Sequence, residues 1–201
     1  MKRGCFSRRI GCYIQDMRSG TSCINSFVAA IVLAVGYSLP VAAQDTLDTL
    51  FSDLATANPE TAEYVAGRIR TRFAQSGSPT LDLLLERGRD ALEAGDALTA
   101  AGHLTALTDH APDFAEGFAT RASAFFALGL YGPALDDLRR TLILEPRHFD
   151  ALQGVAVILE ETGDPKQARA AWQQVQAIHP QSSEAAEALA RLALQLDGED
   201  A

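Results

Sequence analysis

Cysteine is absent from most of this chain. The three cysteines, Cys5, Cys12 and Cys23, all lie within the first 23 residues. Without cysteine, residues 44–201 can form no disulfide and can offer no thiol nucleophile, so disulfide scaffolds and thiol catalysis are excluded for them. A chain that keeps its cysteines out of the main body is typical of an exported protein that avoids stray oxidation.

Motifs for catalysis and metal binding are lacking as well. After residue 43, no glycine-rich loop leads to a phosphate-binding lysine, and no histidine pair has the spacing of a zinc site. We expect the four scattered histidines on the surface or between repeats: His103, His110, His148 and His179. The sequence thus predicts a protein that is not an enzyme and that needs no cofactor or metal. A small helical hydrolase using His148 is the enzymatic alternative.

Basic side chains are scarce after residue 43. The chain has 17 basic and 26 acidic side chains, and the first 43 residues hold five of the basic ones and one acidic one. The remainder therefore has 12 basic and 25 acidic side chains, a net charge of −13. This charge repels phosphate backbones and anionic lipid surfaces, which excludes nucleic acid as a partner. Solubility explains this negative charge. Alternatively, the charge would attract a basic segment of a partner.

Long apolar runs are also missing, apart from residues 27–39 near the N-terminus. This uncharged run follows a basic stretch and ends at Pro40 and the small residues Val41, Ala42 and Ala43. The pattern predicts a secretory signal peptide over residues 1–43, cleaved after Ala43, and a periplasmic or secreted protein with no membrane insertion afterwards. The run is shorter than the roughly 20 residues of a membrane span, but an uncleaved leader anchored in the inner membrane is the alternative. Translation could start at Met1 or at Met17.

A period of 34 residues dominates the rest of the chain. Prolines, glycines and alanines each recur at this interval, in three sets: Pro112, Pro146 and Pro180; Gly95, Gly129 and Gly163; Ala100, Ala134 and Ala168. Such a period is typical of a stacked array of helix hairpins. The repeats are then 81–114, 115–148 and 149–182. Each has a helix A, a glycine bend and a helix B that ends at the proline.

The spacing of apolar and small residues supports this frame. Within each repeat they recur every three or four positions, which places them on one face of each helix. Asp164 and Pro165 are suited to the N-cap and first position of a helix B. Trp172 occupies a packing position and is expected in the core.

Both ends of the array need further helices, because an end repeat exposes an unpaired apolar face. Residues 44–80 are predicted to form a helical pair, from Thr46 to Ala57 and from Pro59 to Gln75. The pair is either a degenerate first repeat over 47–80 or unrelated to the repeats. A capping helix is expected over 183–196, followed by a disordered acidic tail at 197–201.

These positions resemble the tetratricopeptide repeat. The matching residues are Leu84, Gly88, Ala100 and Pro112; Phe118, Ala122, Tyr131, Ala134 and Pro146; and Leu152, Ala156, Ala168, Trp172 and Pro180. The third small position of helix B departs from the pattern, with Leu107, Thr141 and Val175 in place of alanine. The resemblance implies an all-α fold, a right-handed superhelical array of antiparallel helix hairpins (a tetratricopeptide α-solenoid), here with a C-terminal capping helix. The chain is also similar to predicted secreted or periplasmic tetratricopeptide proteins of Gram-negative bacteria.

The resemblance further implies a concave face lined by the A helices, where a peptide could bind. Candidate groove residues are Leu85, Arg89, Leu92, Ala119, Ser123, Phe126, Arg147, Gln153, Val157 and Glu160. Leu85, Phe126 and Val157 would form an exposed apolar track beside polar residues. Arg89 is the only suitably basic residue on these faces, so the carboxylate clamp of some tetratricopeptide proteins does not carry over.

The function expected from these features is that of an exported, non-catalytic adaptor that binds a peptide segment or a partner protein. The alternative is a structural or self-associating scaffold element of an envelope assembly. In that case residues 46–75 would dock a membrane protein or a second copy. Partner identity and oligomeric state stay open.

Overall fold

The computed structural model describes residues 46–199, with side chains up to Asp197. Within this range the chain forms helices joined by short turns and has no strand. They are α1 (Leu47–Thr56), α2 (Pro59–Phe73), α3 (Pro79–Glu93), α4 (Ala97–His110), α5 (Ala115–Ala127), α6 (Tyr131–Leu144), α7 (Phe149–Glu161), α8 (Pro165–Ile178) and α9 (Ser183–Glu199). The pairs α3–α4, α5–α6 and α7–α8 are the A and B helices of the three predicted repeats. The predicted all-α fold is confirmed.

The three glycine bends share one geometry. Gly95, Gly129 and Gly163 have φ values of 77°, 73° and 81°, a region that costs glycine little because it has no Cβ. At the first bend, Gly95 N donates to Leu92 O (2.9 Å) and the next amide donates to Ala91 O (2.8 Å). This is the Schellman arrangement, and it recurs at the other two bends. It satisfies the last carbonyls of each helix A and reverses the chain into helix B.

Helix starts follow the sequence prediction where a capping residue is present. Asp164 accepts from Gln167 N at 3.0 Å, with Pro165 at the first helical position. Asn58 caps α2 in the same way, through Thr61 N at 3.0 Å. Both side chains satisfy amides that have no partner inside the helix.

Small residues let the helices approach closely. Ala100, Ala134, Ala156 and Ala168 are fully buried, and Ala122 is nearly so. At Gly88, a methyl group would lie 2.6 Å from the Leu104 side chain, so this position accepts only glycine without movement of its neighbour. Trp172 is 4% exposed, which confirms its predicted place in the core.

The N-terminal pair, α1–α2, packs against the third repeat. Leu50, Leu54 and Ile69 share a buried cluster with apolar residues of α7, α8 and α9. A degenerate first repeat would instead be expected to pack its buried face against α3 and α4. The end of α2 is also tied to the first repeat, because Ser76 Oγ and N bond Asp82 in α3 at 2.5 and 2.9 Å. The pair therefore bridges the starts of the first and third repeats.

The C-terminal helix packs in the same cluster as the N-terminal pair. Ala185, Ala188 and Leu192 of α9 are buried in the cluster that contains α1 and α2. The helix continues to Glu199, whereas we expected it to end at 196 and a disordered tail to begin at 197. Asp200 and Ala201 lie outside the described residues.

No helix of the described range is both long and apolar enough to cross a bilayer. The predicted leader at 1–43 and its cleavage point lie outside the residues that the structure describes.

Candidate binding pocket

A pocket of about 470 Å³ lies among the A helices of all three repeats. Arg89 contributes to it from α3, and runs of residues from α5 and α7 form most of its walls. Leu138 of α6 and Arg70 of α2 also line it. Its volume falls within the range of about 300–1,000 Å³ that is usual for ligand sites.

One wall of the pocket is apolar. It is formed by small and branched side chains and one aromatic ring: Ala119, Ala122, Phe126, Leu138, Ala151, Val157 and Ile158. Phe126 is half-buried and packs against the Tyr131 ring, with the centroids 5.6 Å apart. Val157 is half-buried as well. These two side chains leave apolar surface open to a ligand.

The pocket also has a polar wall, whose charges are arranged around Glu116. This carboxylate is 12% exposed and accepts a hydrogen bond from the Arg89 guanidinium. It also accepts from His148 Nε2 at 3.0 Å and from Thr120 Oγ1 at 3.4 Å. Because His148 Nδ1 accepts from Ala151 N (3.2 Å) as the N-cap of α7, the ring proton lies on Nε2. The His148 ring is therefore held from both sides.

A second charged pair joins α2 to α7 at the same wall. Arg70 Nε donates to both oxygens of Asp150, at 3.1 and 3.2 Å, and its Nη1 donates to Glu63 at 2.6 Å. Burial raises the pKa of Asp150, and the nearby Arg70 charge only partly offsets this effect. The polar wall thus has two cations and two carboxylates, and the carboxylates are already occupied by donors.

Six of the ten predicted groove residues line this pocket: Arg89, Ala119, Ser123, Phe126, Gln153 and Val157. They come from three helices that are far apart in sequence, and the 34-residue period brought them to the same face. These six predicted residues therefore lie together, and their role in binding a partner stays a prediction.

Leu85 and Leu92 are placed differently from the prediction. Leu85 is 2% exposed and belongs to the core cluster of the first repeat, with Leu104 and Leu107. Leu92 is half-buried against the same cluster. The expected exposed track through Leu85 is therefore wrong, because this face of α3 packs against α4 and α5. Of the three residues predicted for this track, Phe126 and Val157 do line the pocket.

Arg147 and Glu160 also lie outside the pocket. Arg147 lies over the Phe51 ring of α1, at 4.3 Å from its centroid, and pairs with Asp48 at 2.8 Å. Glu160 accepts from Trp172 Nε1 and from Arg191 Nη2, both at 2.6 Å. Both side chains hold elements of the fold together and are occupied by those contacts.

Most residues of the polar wall were not among the predicted groove residues. Arg70 lies outside the repeats, and nothing local marks it. Glu116 and Asp150 did carry a signal, because an acid stands every 34 residues at Asp48, Asp82, Glu116, Asp150 and Glu184. Each of these five lies in the first turn of a helix, where a negative charge complements the helix dipole. In the second and third repeats this position also faces the pocket.

The hydrolase alternative relied on His148 as a catalytic residue. In the structure this side chain is occupied by contacts within the fold. His148 is 1% exposed and engages Glu116 and the start of α7, and the carboxylate of Asp150 is held by Arg70. The described residues contain no group of three or more His, Cys, Asp or Glu side chains that could hold a metal ion.

Comparison with known proteins agrees with the fold. Residues 125–192 match the tetratricopeptide repeat family model. A TPR repeat-containing protein of Rhizobium etli is 35% identical over 153 residues, which cover 76% of this chain and 75% of the relative.

Solved structures with the same fold include two peptide complexes. The first TPR of Spaghetti (RPAP3), bound to the HSP90 peptide SRMEEVD, has a TM-score of 0.56 at 21% identity and covers 58% of this chain and 95% of its own. The Yersinia enterocolitica type III secretion chaperone SycD, with a peptide of the translocator YopD, has a TM-score of 0.55 at 17% identity and covers 59% of this chain and 95% of its own. With these similarities added to its three in-register hairpins, the chain belongs to the tetratricopeptide repeat family.

Proposed function

We propose that this protein is a non-catalytic adaptor that binds a peptide segment or a partner protein in the pocket between its A helices. The observation that carries the proposal is that α3, α5 and α7 all contribute to one pocket with an apolar and a polar wall. An apolar side chain of the ligand would pack on Phe126 and Val157. Polar groups beside it would set its orientation on the polar wall.

The polar wall favours an acidic group next to that apolar side chain. Glu116 and Asp150 already accept hydrogen bonds from the protein at both oxygens. Among the described residues, Arg89 Nε and Nη1 and Arg70 Nη2 bond no partner. The free hydrogen-bonding capacity of this wall therefore consists of cationic donors, which suit a carboxylate.

The two solved relatives support a peptide ligand at the level of the fold, since both hold peptides. Tetratricopeptide domains are in general interaction modules without catalysis, and we extend this to the present chain. We also propose that the protein is exported, on the basis of the basic stretch and apolar run before residue 44. N-terminal sequencing of the protein recovered from cells tests cleavage after Ala43.

The adaptor proposal is tested with peptides selected from a random library on the full chain. Enriched peptides should pair an apolar side chain with an acidic one. Phe126→Glu combined with Val157→Glu should weaken their binding by at least about tenfold in fluorescence anisotropy, or about 1.4 kcal/mol, because a buried charge opposes the apolar contact. The matched control is Ile143→Glu on α6, where the side chain is 62% exposed. Equal affinity of the pocket variant and the control would contradict the proposal.

The scaffold alternative gains less support from the structure. It required the helices within 46–75 to dock a membrane protein or a second copy. Their large apolar side chains Leu50, Leu54 and Ile69 are instead at most 3% exposed, against the protein's own third repeat. Light scattering of the full chain distinguishes a self-associating element from a monomeric adaptor.

A further inference from the structure

The polar wall of the pocket includes one side chain from outside the repeats. Arg70 reaches it from α2, where Asp150 and Glu63 hold its guanidinium. The segment from 74 to 78 connects α2 to α3, and Gly77 within it has a φ of 82°. Departure of the N-terminal pair α1–α2 from the third repeat would therefore remove Arg70 from the polar wall of the pocket while the repeats stay joined by their own cores.

Two buried histidines lie where this pair meets the third repeat. The His148 ring stacks on Phe73 at the end of α2, with the centroids 4.4 Å apart and the planes 10° apart. His179, at the end of α8, lies 5.6 Å from the Phe149 ring, and Arg70 covers the same Phe149 at 5.2 Å. The α2 helix thus contacts His148 directly through Phe73, and its Arg70 covers the Phe149 ring that lies against His179.

His179 differs from His148 in its hydrogen bonding. Its side chain is 4% exposed, and its Nε2 is a buried atom without a hydrogen-bond partner among the described residues. The charged groups that face it are Glu63 and Arg70 from α2, Asp150 from α7 and Glu184 from α9. Burial lowers the pKa of His179 below its ordinary value of 6.5, and the three carboxylates do not fully offset that effect.

We propose that α1–α2 is an acid-released wall of the pocket, in which protonation of His179 drives the pair away from the third repeat. With α2 docked, the imidazole is kept neutral by burial. Once α2 has left, the ring meets water and binds a proton more readily. Docking is therefore strongest above pH 6.5, the ordinary pKa of histidine, and weakens as the pH falls towards the lower pKa of the docked state.

Asp150 acts in the opposite direction. Because burial raises its pKa, the docked state takes up a proton at this carboxyl more readily than the free state does. Acid thus relieves the cost of burying Asp150 and favours docking. Release by acid is for this reason assigned to His179. Substitution of His179 distinguishes its effect from that of Asp150.

The test measures papain cleavage of the segment 74–78 in the full chain, at about pH 7.5 and about pH 5.5, where histidine titrates. Rates are normalised to an unstructured reporter peptide, and mass spectrometry identifies the cut. Cleavage should rise on acidification by up to about tenfold per pH unit, the limit for one proton. His179→Gln should abolish the rise, whereas His110→Gln, at an exposed histidine, should retain it. A pH-independent wild type, or an unchanged rise in His179→Gln, would overturn the proposal.

A second variant covers the case in which His179→Gln fails to fold. Ile69→Asp places a charge in the fully buried face of α2 and should release the pair at every pH. Its cleavage at neutral pH should match or exceed that of the wild type in acid, with the helices of the repeats retained by circular dichroism. Cleavage at the wild-type neutral rate would contradict the proposed wall. In the wild type, NMR titration should place the pKa of His179 below 6.5. A higher value would also overturn the proposal. None of these measurements depends on a ligand, so they stand apart from the adaptor test.

Discussion

At the scale of single residues, large and small side chains compensate for one another across the repeats. Leu107 stands where alanine is usual, and it faces Gly117, where a methyl group would lie 3.2 Å away. Leu138 meets Gly154 at the same distance. A leucine on one helix is thus matched by a glycine on the next, which preserves the close packing of a protein interior. This matching explains how the repeats keep their fold despite departures from the usual residues.

The tightest of these contacts predicts a substitution effect. Gly88→Ala would place Cβ at 2.6 Å from Leu104, whose side chain is fully buried and cannot move freely. We expect unfolding in denaturant to show a loss of about 1–3 kcal/mol. The matched control is Gly102→Ala in α4, where nothing lies within 4 Å. There, alanine should stabilise by up to about 1 kcal/mol through its higher helix propensity. An unchanged free energy of unfolding in Gly88→Ala would show that α3 and α4 can separate without cost.

At the scale of helices, one polar network joins the first two repeats. Arg121 of α5 donates to both oxygens of Asp137 in α6, at 2.7 and 2.8 Å, and to Thr108 of α4 at 2.6 Å. The Arg121 and Asp137 side chains are only 16% and 9% exposed. Hydrogen bonding to Asp137 raises the pKa of Arg121, so this guanidinium keeps its charge. The network fixes α5 between its two neighbours.

Removal of this arginine should be costly. Arg121→Ala leaves Asp137 buried without its partner, and we expect a loss of about 3 kcal/mol in the free energy of unfolding. Arg139→Ala is the control, because its ion pair with Asp136 has both side chains more than 70% exposed and should contribute less than about 1 kcal/mol. Similar losses for the two variants would mean that the buried network adds no stability beyond that of a surface pair.

At the scale of the whole described chain, the two ends share one core. The cluster that contains Leu50, Leu54 and Ile69 also contains Trp172 and Leu192, while α3 and α4 build a separate cluster around Leu104. In a simple array each repeat would contact only its neighbours. Here, residues more than 120 positions apart in sequence are expected to open together, because they lose the same buried surface.

Amide hydrogen exchange can detect this coupling. Leu192→Ala removes a buried side chain from α9, at a cost of about 2–5 kcal/mol, and should speed exchange in α1 and α2. Leu104→Ala is the matched change in the other cluster and should speed exchange in α3 and α4 while leaving α1 and α2 nearly unchanged. If Leu192→Ala affects only α8 and α9, the N-terminal pair does not depend on the C-terminal core.

The pocket shows how far prediction from sequence could reach. Phe126 and Val157 were placed on it because the repeat period assigns each position to a helix face. Leu85 was misplaced because it occupies a corresponding face on the first repeat, where α3 packs closely against α4. Arg70 could not be predicted, since it joins Asp150 across 80 residues and no periodic pattern connects them.

The sequence by itself determined the helices, their bends and their pairing into hairpins. These depend on local interactions, such as the positive φ at Gly95, Gly129 and Gly163, the caps at Asn58 and Asp164, and apolar spacing within each helix. Only the tertiary structure decided where α1–α2 would lie. An apolar helix face can be buried against any complementary surface, and the third repeat with α9 supplied one together with the partners Asp150 and His148.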